Sequence, residues 1–183
     1  MLDFFQKIKK KKFKKFKLPK FNKAVDDRFK RKLWYLITKR PDVIIFEGWC
    51  VGARAEKIRT LKKPINFFEK NNDKKLKWRN YVNKQLKFKY KKLFAQLDCL
   101  LFLKASNFSL LKQWRLKQEE KLRLTNKKKS KKLRIMSKKD IFNFMLTYQR
   151  ITQNMFKYAP KYSSMILKLN RNHQIINVIY NRK

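Results

Sequence analysis

Glycine is almost absent from this chain of 183 residues, and its two glycines, Gly48 and Gly52, lie close together. Such a pair indicates either a turn with unusual backbone angles or a close approach to a ligand. The run at residues 43–46, just before this pair, is β-branched and aromatic, which is typical of a strand covered on both faces. We therefore predict a buried parallel strand that ends at Glu47 and leads into a turn.

A carboxylate at the carboxyl end of a buried parallel strand points into the crevice where α/β proteins bind ligands, and Glu47 takes this position. A second apolar run at residues 99–103 predicts another strand, and the tail at residues 165–169 and 174–179 is expected to form one or two short strands. With helices between these runs, the order predicts an α/β fold with a parallel sheet flanked by helices.

Four helices beyond the N-terminal segment are predicted from patterning, and one of them begins after Ser106 or Asn107. The helix at residues 76–97 has an apolar stripe along one side, which favours packing on the core. Its Tyr and Phe residues lie among Lys, a pattern that also resembles an aromatic–basic RNA-binding surface. Ser137 and Asp140 form a near capping box for a helix that ends at Pro160. Asp26 or Asp27 is predicted to cap a helix that carries Leu33, Trp34 and Ile37. The stripe of the helix at 76–97 consists of Trp78, Val82, Leu86, Tyr90, Leu93 and Leu97.

The chain has 52 Lys and Arg against 12 Asp and Glu, a net charge of +40, so it is expected to bind polyanions at low salt. Most of the excess is Lys spread along the whole chain, which favours a solvated lysine surface over a dedicated nucleic-acid binder. We expect a basic amphipathic segment at residues 1–20 and a single domain at 21–183. A mobile Lys-rich loop is expected at residues 126–135.

Cys50 and Cys99 lie in or beside apolar runs, which predicts buried free thiols of a reducing compartment. A single histidine, His173, excludes a His-based metal site or triad. No apolar run is long enough to span a membrane, and the N-terminus has no apolar signal core, so a cytoplasmic location is expected.

Five segments, in collinear order, resemble the carboxyl-terminal part of bacterial and plant D-glycerate 3-kinases. These enzymes are P-loop kinases similar to phosphoribulokinase, uridine kinase and pantothenate kinase. The segments lie at residues 18–28, 42–54, 78–83, 114–119, and 136–137 with 148–152, and so span nearly the whole chain.

The resemblance implies transfer of the γ-phosphoryl group of ATP to a small hydroxy acid such as glycerate, with Mg²⁺. It implies that Glu47 holds a Mg²⁺-bound water, and that Asp26 or Asp27 positions or deprotonates the acceptor hydroxyl. Arg115, with Lys121, would neutralise the ATP phosphates; alternatively, Arg115 is a surface cation paired with Glu119. The implied acceptor pocket consists of Lys23, Asp26, Asp27 and Arg28, with Trp49 and Gly52.

The chain departs from the family at two places. Asn22 stands where the family has Asp, and an amide cannot act as a base. The phosphate-cradling pattern G-x-x-x-x-G-K-[S/T] is impossible with glycines only at 48 and 52. The resemblance therefore implies a sheet that lacks its central phosphate-loop strand, between the strand ending at Glu47 and the one at 99–103.

We expect a truncated or split kinase that is inactive alone and is completed by a P-loop-bearing chain. The alternatives are an inactive kinase remnant and a basic RNA-binding or ribosome-associated protein.

Overall fold

The computed structural model describes residues 1–22, 27–125 and 136–181. The chain divides into two compact units, one of Met1–Glu47 with Leu122–Ile135 and one of Gly48–Lys121 with Met136–Lys183. Two of the predicted acceptor-pocket residues, Lys23 and Asp26, and the predicted mobile loop at 126–135 lie outside the described residues.

The first unit begins with an amphipathic helix, α1, that buries Phe5 and Ile8, and continues as short antiparallel strand pairs. The predicted helix carrying Leu33, Trp34 and Ile37 is wrong. Leu33 ends a 3₁₀ turn, and Tyr35–Ile37 form a short strand, β4, whose pairing with β1 satisfies backbone groups that a helix would satisfy internally. The elements are α1 Leu2–Lys9, β1 Phe16–Leu18, β2 Phe21–Asn22, β3 Asp27–Arg28, a 3₁₀ turn Arg31–Leu33 and β4 Tyr35–Ile37.

The prediction of a buried strand at residues 43–46 is also wrong. This run belongs to no sheet of the described residues, and the side chains of Val43 and Ile45 are 77% and 86% exposed. Only Phe46 is packed, edge to face with Phe5 at a centroid distance of 6.1 Å. A β-branched run becomes a buried strand only where neighbouring strands and a covering layer exist, and the described residues provide neither for this run.

The second unit contains the main sheet, whose strand order is β5-β6-β7. β5 and β6 are parallel, whereas β7 is antiparallel to β6, so the sheet is mixed and not purely parallel as predicted. A tight connection at residues 170–174 joins β6 to β7, and only an antiparallel pair allows so short a link. The strands are β5 Leu101–Lys104, β6 Met165–Leu169 and β7 Ile175–Tyr180.

The predicted helix at 76–97 exists as α4 Lys77–Gln85, a π-helical stretch Leu86–Tyr90 and α5 Lys91–Phe94. Its predicted core stripe is wrong in part, because Trp78 and Tyr90 are exposed. Leu86 of the stripe is buried as predicted, and the helix also buries Arg79 and Asn83, so that Arg79, Asn83 and Leu86 form its inward side. Two of these side chains are polar and bind partners inside the unit, which turns the aromatic side of the helix outwards.

The core of this unit lies between the sheet and α7 Lys138–Tyr158, and its buried members are Ala53, Leu86, Phe102, Met155, Ala159 and Ile166. The capping box of Ser137 and Asp140 is confirmed at the start of α7. The remaining helices are α2 Ile58–Leu61, α3 Phe67–Asn72 and α6 Phe108–Thr125. In the described ranges, no helix has the length and apolar character that crossing a bilayer requires.

The two faces of the sheet differ sharply. By register, Phe102, Ile166 and Ile179 share one face, which packs into the core. The opposite face carries Leu101 and Leu103, which are 55% and 59% exposed, together with Val178 and Tyr180, which are also exposed. Within the described part of the chain, therefore, only one face of this sheet is covered.

Candidate functional site

The turn that follows Glu47 explains one glycine by backbone geometry. Gly52 has a φ of +81°, and a Cβ atom there would lie 2.7 Å from a methyl carbon of Leu100. The Tyr162 hydroxyl donates a hydrogen bond of 3.0 Å to the Gly52 carbonyl, which fixes the turn against the core. At Gly48 a Cβ atom would meet Val51 at 3.1 Å, without the left-handed backbone angle. The backbone angle of this turn is therefore a sufficient reason for glycine at position 52.

Replacing Gly52 with alanine is expected to lower the free energy of unfolding by about 1–2 kcal/mol, because an L side chain resists this left-handed angle. The contact with Leu100 adds to that cost, although a leucine side chain is able to move. Gly48→Ala is the matched control and is expected to cost less than half as much. Urea unfolding of the two variants compares them, and equal losses would contradict the turn as the reason for Gly52.

Trp49, next to this turn, is held by α7. Its indole N–H donates to the Thr152 hydroxyl at 2.9 Å, and that hydroxyl donates to the Tyr148 carbonyl at 2.8 Å. The indole also contacts the Tyr148 ring at a centroid distance of 5.8 Å. Trp49 therefore ties residues after Glu47 to the middle of α7 while its ring remains partly exposed.

The two thiols differ in their surroundings. Burial raises the pKa of Cys50 to about 11, so this partly buried thiol stays protonated at neutral pH. Cys99 is exposed, so the prediction that both thiols are buried is wrong for Cys99. Cys99 precedes β5, and in the apolar run at 99–103 the member of the buried core is Phe102.

In the first unit, Asp27 and Arg28 form β3, and both side chains are exposed. Asp27 stands directly opposite Asn22 in the β2–β3 ladder. Directly opposed residues of an antiparallel pair have Cβ atoms about 5 Å apart. The carboxylate of Asp27 therefore lies opposite Asn22, the position at which the D-glycerate 3-kinase family has Asp. Glu47, at the end of this unit, is exposed as well.

Arg115, on α6, is bound to the acid one turn further on. Its Nη1 donates to Glu119 Oε2 at 2.6 Å, and Glu119 is buried. The other carboxylate oxygen of Glu119 accepts the backbone N–H of Met136 at 2.8 Å. The pairing with Glu119 that the sequence left open for Arg115 is therefore present. Lys121 is exposed on the same helix.

The most connected polar residues of the second unit were not predicted as site residues. Arg150, on α7, forms a two-pronged contact with Glu69, with both N–O distances 2.7 Å, and also donates to the carbonyls of Thr60 and Lys63. Arg79 binds Asp73 at 2.9 Å and the Leu61 carbonyl at 2.7 Å. We call Glu69, Asp73, Arg79 and Arg150 the arginine network.

The network holds the polar segment at residues 54–76 against the helices. Burial by itself would raise the pKa of Asp73, but hydrogen bonds from the Arg79 side chain and from backbone N–H groups lower it, so this acid stays ionised. Hydrogen bonds and charge from Glu69, with the charge of Glu56, raise the pKa of Arg150 against the opposing effect of burial. One signal was available: acidic residues are scarce, and Glu56, Glu69 and Asp73 cluster in sequence.

Across residues 1–22, 27–125 and 136–181, no three His, Cys, Asp or Glu side chains converge as a metal site. Mg²⁺ in phosphotransfer sites is bound by one or two carboxylates and completed by waters and phosphates. A lone exposed carboxylate such as Glu47 therefore fits a Mg²⁺ ion that arrives with a nucleotide.

The helices, the mixed sheet and their order define an α/β fold. One similar solved structure is D-glycerate 3-kinase from Cryptococcus neoformans var. grubii, with a TM-score of 0.68 and 20% identity, covering 91% of this chain and 60% of that one. Another is the YGR205w protein, with a TM-score of 0.62 and 22% identity, covering 98% of this chain and 63% of that one. The structural resemblance to D-glycerate 3-kinase is thereby confirmed.

At these identities the likeness establishes the fold, and the chain spans about three fifths of the length of either solved structure. No protein-family model matches the sequence, and no curated protein matches it either.

Proposed function

We propose that this chain is part of an ATP-dependent phosphotransferase similar to D-glycerate 3-kinase, which phosphorylates a small hydroxy acid such as glycerate. It acts together with a P-loop-bearing segment that these 183 residues do not include. The observation that carries the proposal is the open side of β5 in a fold of the kinase type. β5 pairs with β6 on one side, and no strand of the described residues pairs with its other edge.

Exposed apolar side chains in each of the two units support the same proposal. Leu101 and Leu103 of β5 are largely exposed, as are Val43 and Ile45 of the run before Glu47. By resemblance these two runs flank the phosphate-loop strand on either side. Open strand edges with apolar side chains are a liability that proteins normally cover. A strand and helix from the completing segment would pair with β5 and cover its apolar face.

The acceptor is bound by the first unit in this proposal. Asp27 orients or deprotonates the hydroxyl, because it is the described carboxylate across from Asn22. Arg28 pairs with the acceptor carboxylate through its two-pronged guanidinium. Lys23 and Asp26 would contribute to the same acceptor site, as the resemblance implies.

The nucleotide is ATP with Mg²⁺, which supplies the γ-phosphoryl group. Glu47 would hold the metal through a bound water, which suits a hard cation that keeps part of its hydration shell. Arg115 and Lys121 would neutralise the phosphate charge, and Arg115 must exchange its contact with Glu119 to do so. The cytoplasm is the expected compartment for this reaction.

The test is reconstitution. The chain is mixed or co-expressed with a segment that carries G-x-x-x-x-G-K-[S/T], from adjacent coding sequence or from the Cryptococcus neoformans enzyme. Glycerate-dependent ADP release is then measured. We expect turnover only when both pieces are present, and a loss of about 100-fold or more in Glu47→Gln, since the metal would lose its carboxylate.

Asp42→Asn is the matched control, because Asp42 is an exposed acid of the same segment with no proposed role. A folded complex without glycerate-dependent turnover would rule out the kinase. Tight binding of ATP–Mg²⁺ that weakens in Glu47→Gln would exclude the alternative of an inactive remnant.

A further inference from the structure

The outward side of the helical segment at residues 77–94 is aromatic and basic. Trp78, Tyr81 and Phe88 are 57%, 53% and 53% exposed. The inward side is occupied by Arg79, Asn83 and Leu86, so these three rings have no place in the core. We call Trp78, Tyr81 and Phe88, with the lysines around them, the aromatic–lysine surface.

The charge of this surface has one sign. Eight lysines lie between positions 74 and 92, all of them exposed, and no acidic residue occurs between Asp73 and Asp98. Asp73 itself is buried and bound to Arg79, so it does not offset them. A stretch this basic attracts a polyanion and disfavours a basic or neutral apolar partner. The lysines are Lys74, Lys75, Lys77, Lys84, Lys87, Lys89, Lys91 and Lys92.

The rings are arranged as a platform. Trp78 and Tyr81 stack at a centroid distance of 5.6 Å with an interplanar angle of 24°. Phe88 lies about two helical turns beyond Tyr81, on the order of 10 Å along the axis. The Lys87 ammonium lies 5.5 Å from the centre of the Phe88 ring, so a positive charge and an aromatic ring lie side by side on this surface. Flat rings among cations are what sequence-tolerant binding of unpaired bases requires.

We propose that the aromatic–lysine surface binds single-stranded nucleic acid, with bases stacked on Trp78, Tyr81 and Phe88 and phosphates paired with the flanking lysines. The charge alone would attract any polyanion, whereas the exposed rings distinguish a ligand that has bases. This function is separate from phosphotransfer and does not depend on it.

The test uses the full chain and a single-stranded RNA of about 12 nucleotides and mixed sequence, within the site sizes known for such proteins. Heparin and an RNA duplex serve as polyanions without available bases. Trp78→Ala/Tyr81→Ala is expected to weaken single-stranded RNA binding about 20-fold or more, since each stacked ring contributes about fivefold or more. Heparin binding is expected to change less than about twofold, because the net charge is unchanged.

Tyr180→Ala is the control, since Tyr180 is a still more exposed ring, 70% exposed, on β7 outside this surface. If the Trp78→Ala/Tyr81→Ala variant fails to fold, RNA binding is measured with the Trp78→Leu/Tyr81→Leu variant, because leucine keeps apolar surface but has no aromatic ring. The proposal is overturned if RNA binding is unchanged in the folded variants, or if RNA and heparin weaken equally. It is also overturned if the variants impair only assembly with a P-loop-bearing segment, which would make protein the occupant.

Discussion

Replacing Arg150 with methionine is expected to lower the free energy of unfolding by about 3–5 kcal/mol, the usual cost of breaking a buried ion pair from one side. The substitution leaves the buried carboxylate of Glu69 without its two-pronged partner, and it leaves the carbonyls of Thr60 and Lys63 without their donor. A loss of this size is a large fraction of the stability of an ordinary domain. Urea unfolding followed by circular dichroism measures it.

Arg150→Lys separates charge from geometry. Lysine keeps the positive charge but cannot bind both oxygens of Glu69, so we expect it to recover less than half of the loss. Asp3→Asn is the matched control, because the Asp3–Lys7 pair on α1 is largely exposed. That change is expected to cost no more than about 0.5 kcal/mol. Similar losses in Arg150→Met and Asp3→Asn would show that the arginine network does not stabilise the second unit.

The second large effect is expected at Phe102, whose side chain is only 8% exposed and belongs to the core below the sheet. Phe102→Ala is expected to cost about 3–5 kcal/mol, since it removes a buried ring and leaves a cavity. Leu103, the next residue of β5, points to the uncovered face, and Leu103→Ala is expected to change stability by no more than about 0.5 kcal/mol. Thermal and urea unfolding of the isolated chain measure both.

The same pair of variants reports on the proposed completing segment. If that segment covers the outer face of the sheet, Leu103→Ala becomes costly in the complex, where the leucine would be buried. We expect it to weaken assembly by about 10-fold while leaving the isolated chain unchanged. An isolated chain that loses as much from Leu103→Ala as from Phe102→Ala would contradict the two-faced description of the sheet.

Sequence alone predicted those elements whose signals are local. The helix after Ser137 was predicted because its cap and its apolar stripe lie within its own residues, and β6 and β7 because each is a short apolar run. The run at 43–46 has the same local signal but forms no strand. A strand needs partners, and local composition does not show whether they are present.

Contacts between distant residues were beyond such reasoning. Arg79 and Arg150 are polar residues on helices, and local patterning places them on the surface. Their partners lie in the segment at 54–76, 81 positions away for Arg150 and Glu69, and only the fold shows that they meet. Segments behind the kinase resemblance contribute ties of this kind, as Trp49 does with Thr152, 103 positions further on. The resemblance therefore rests partly on residues that hold the architecture together.

The bond from the Met136 backbone to Glu119 has a practical consequence for engineering. It fastens the start of α7 to α6 independently of the covalent link through residues 126–135. Cutting the backbone in that link, or inserting a tag there, is expected to leave this hydrogen bond between Met136 and Glu119 in place. This position is therefore the natural place to attach a fluorophore or affinity handle without disturbing the proposed sites.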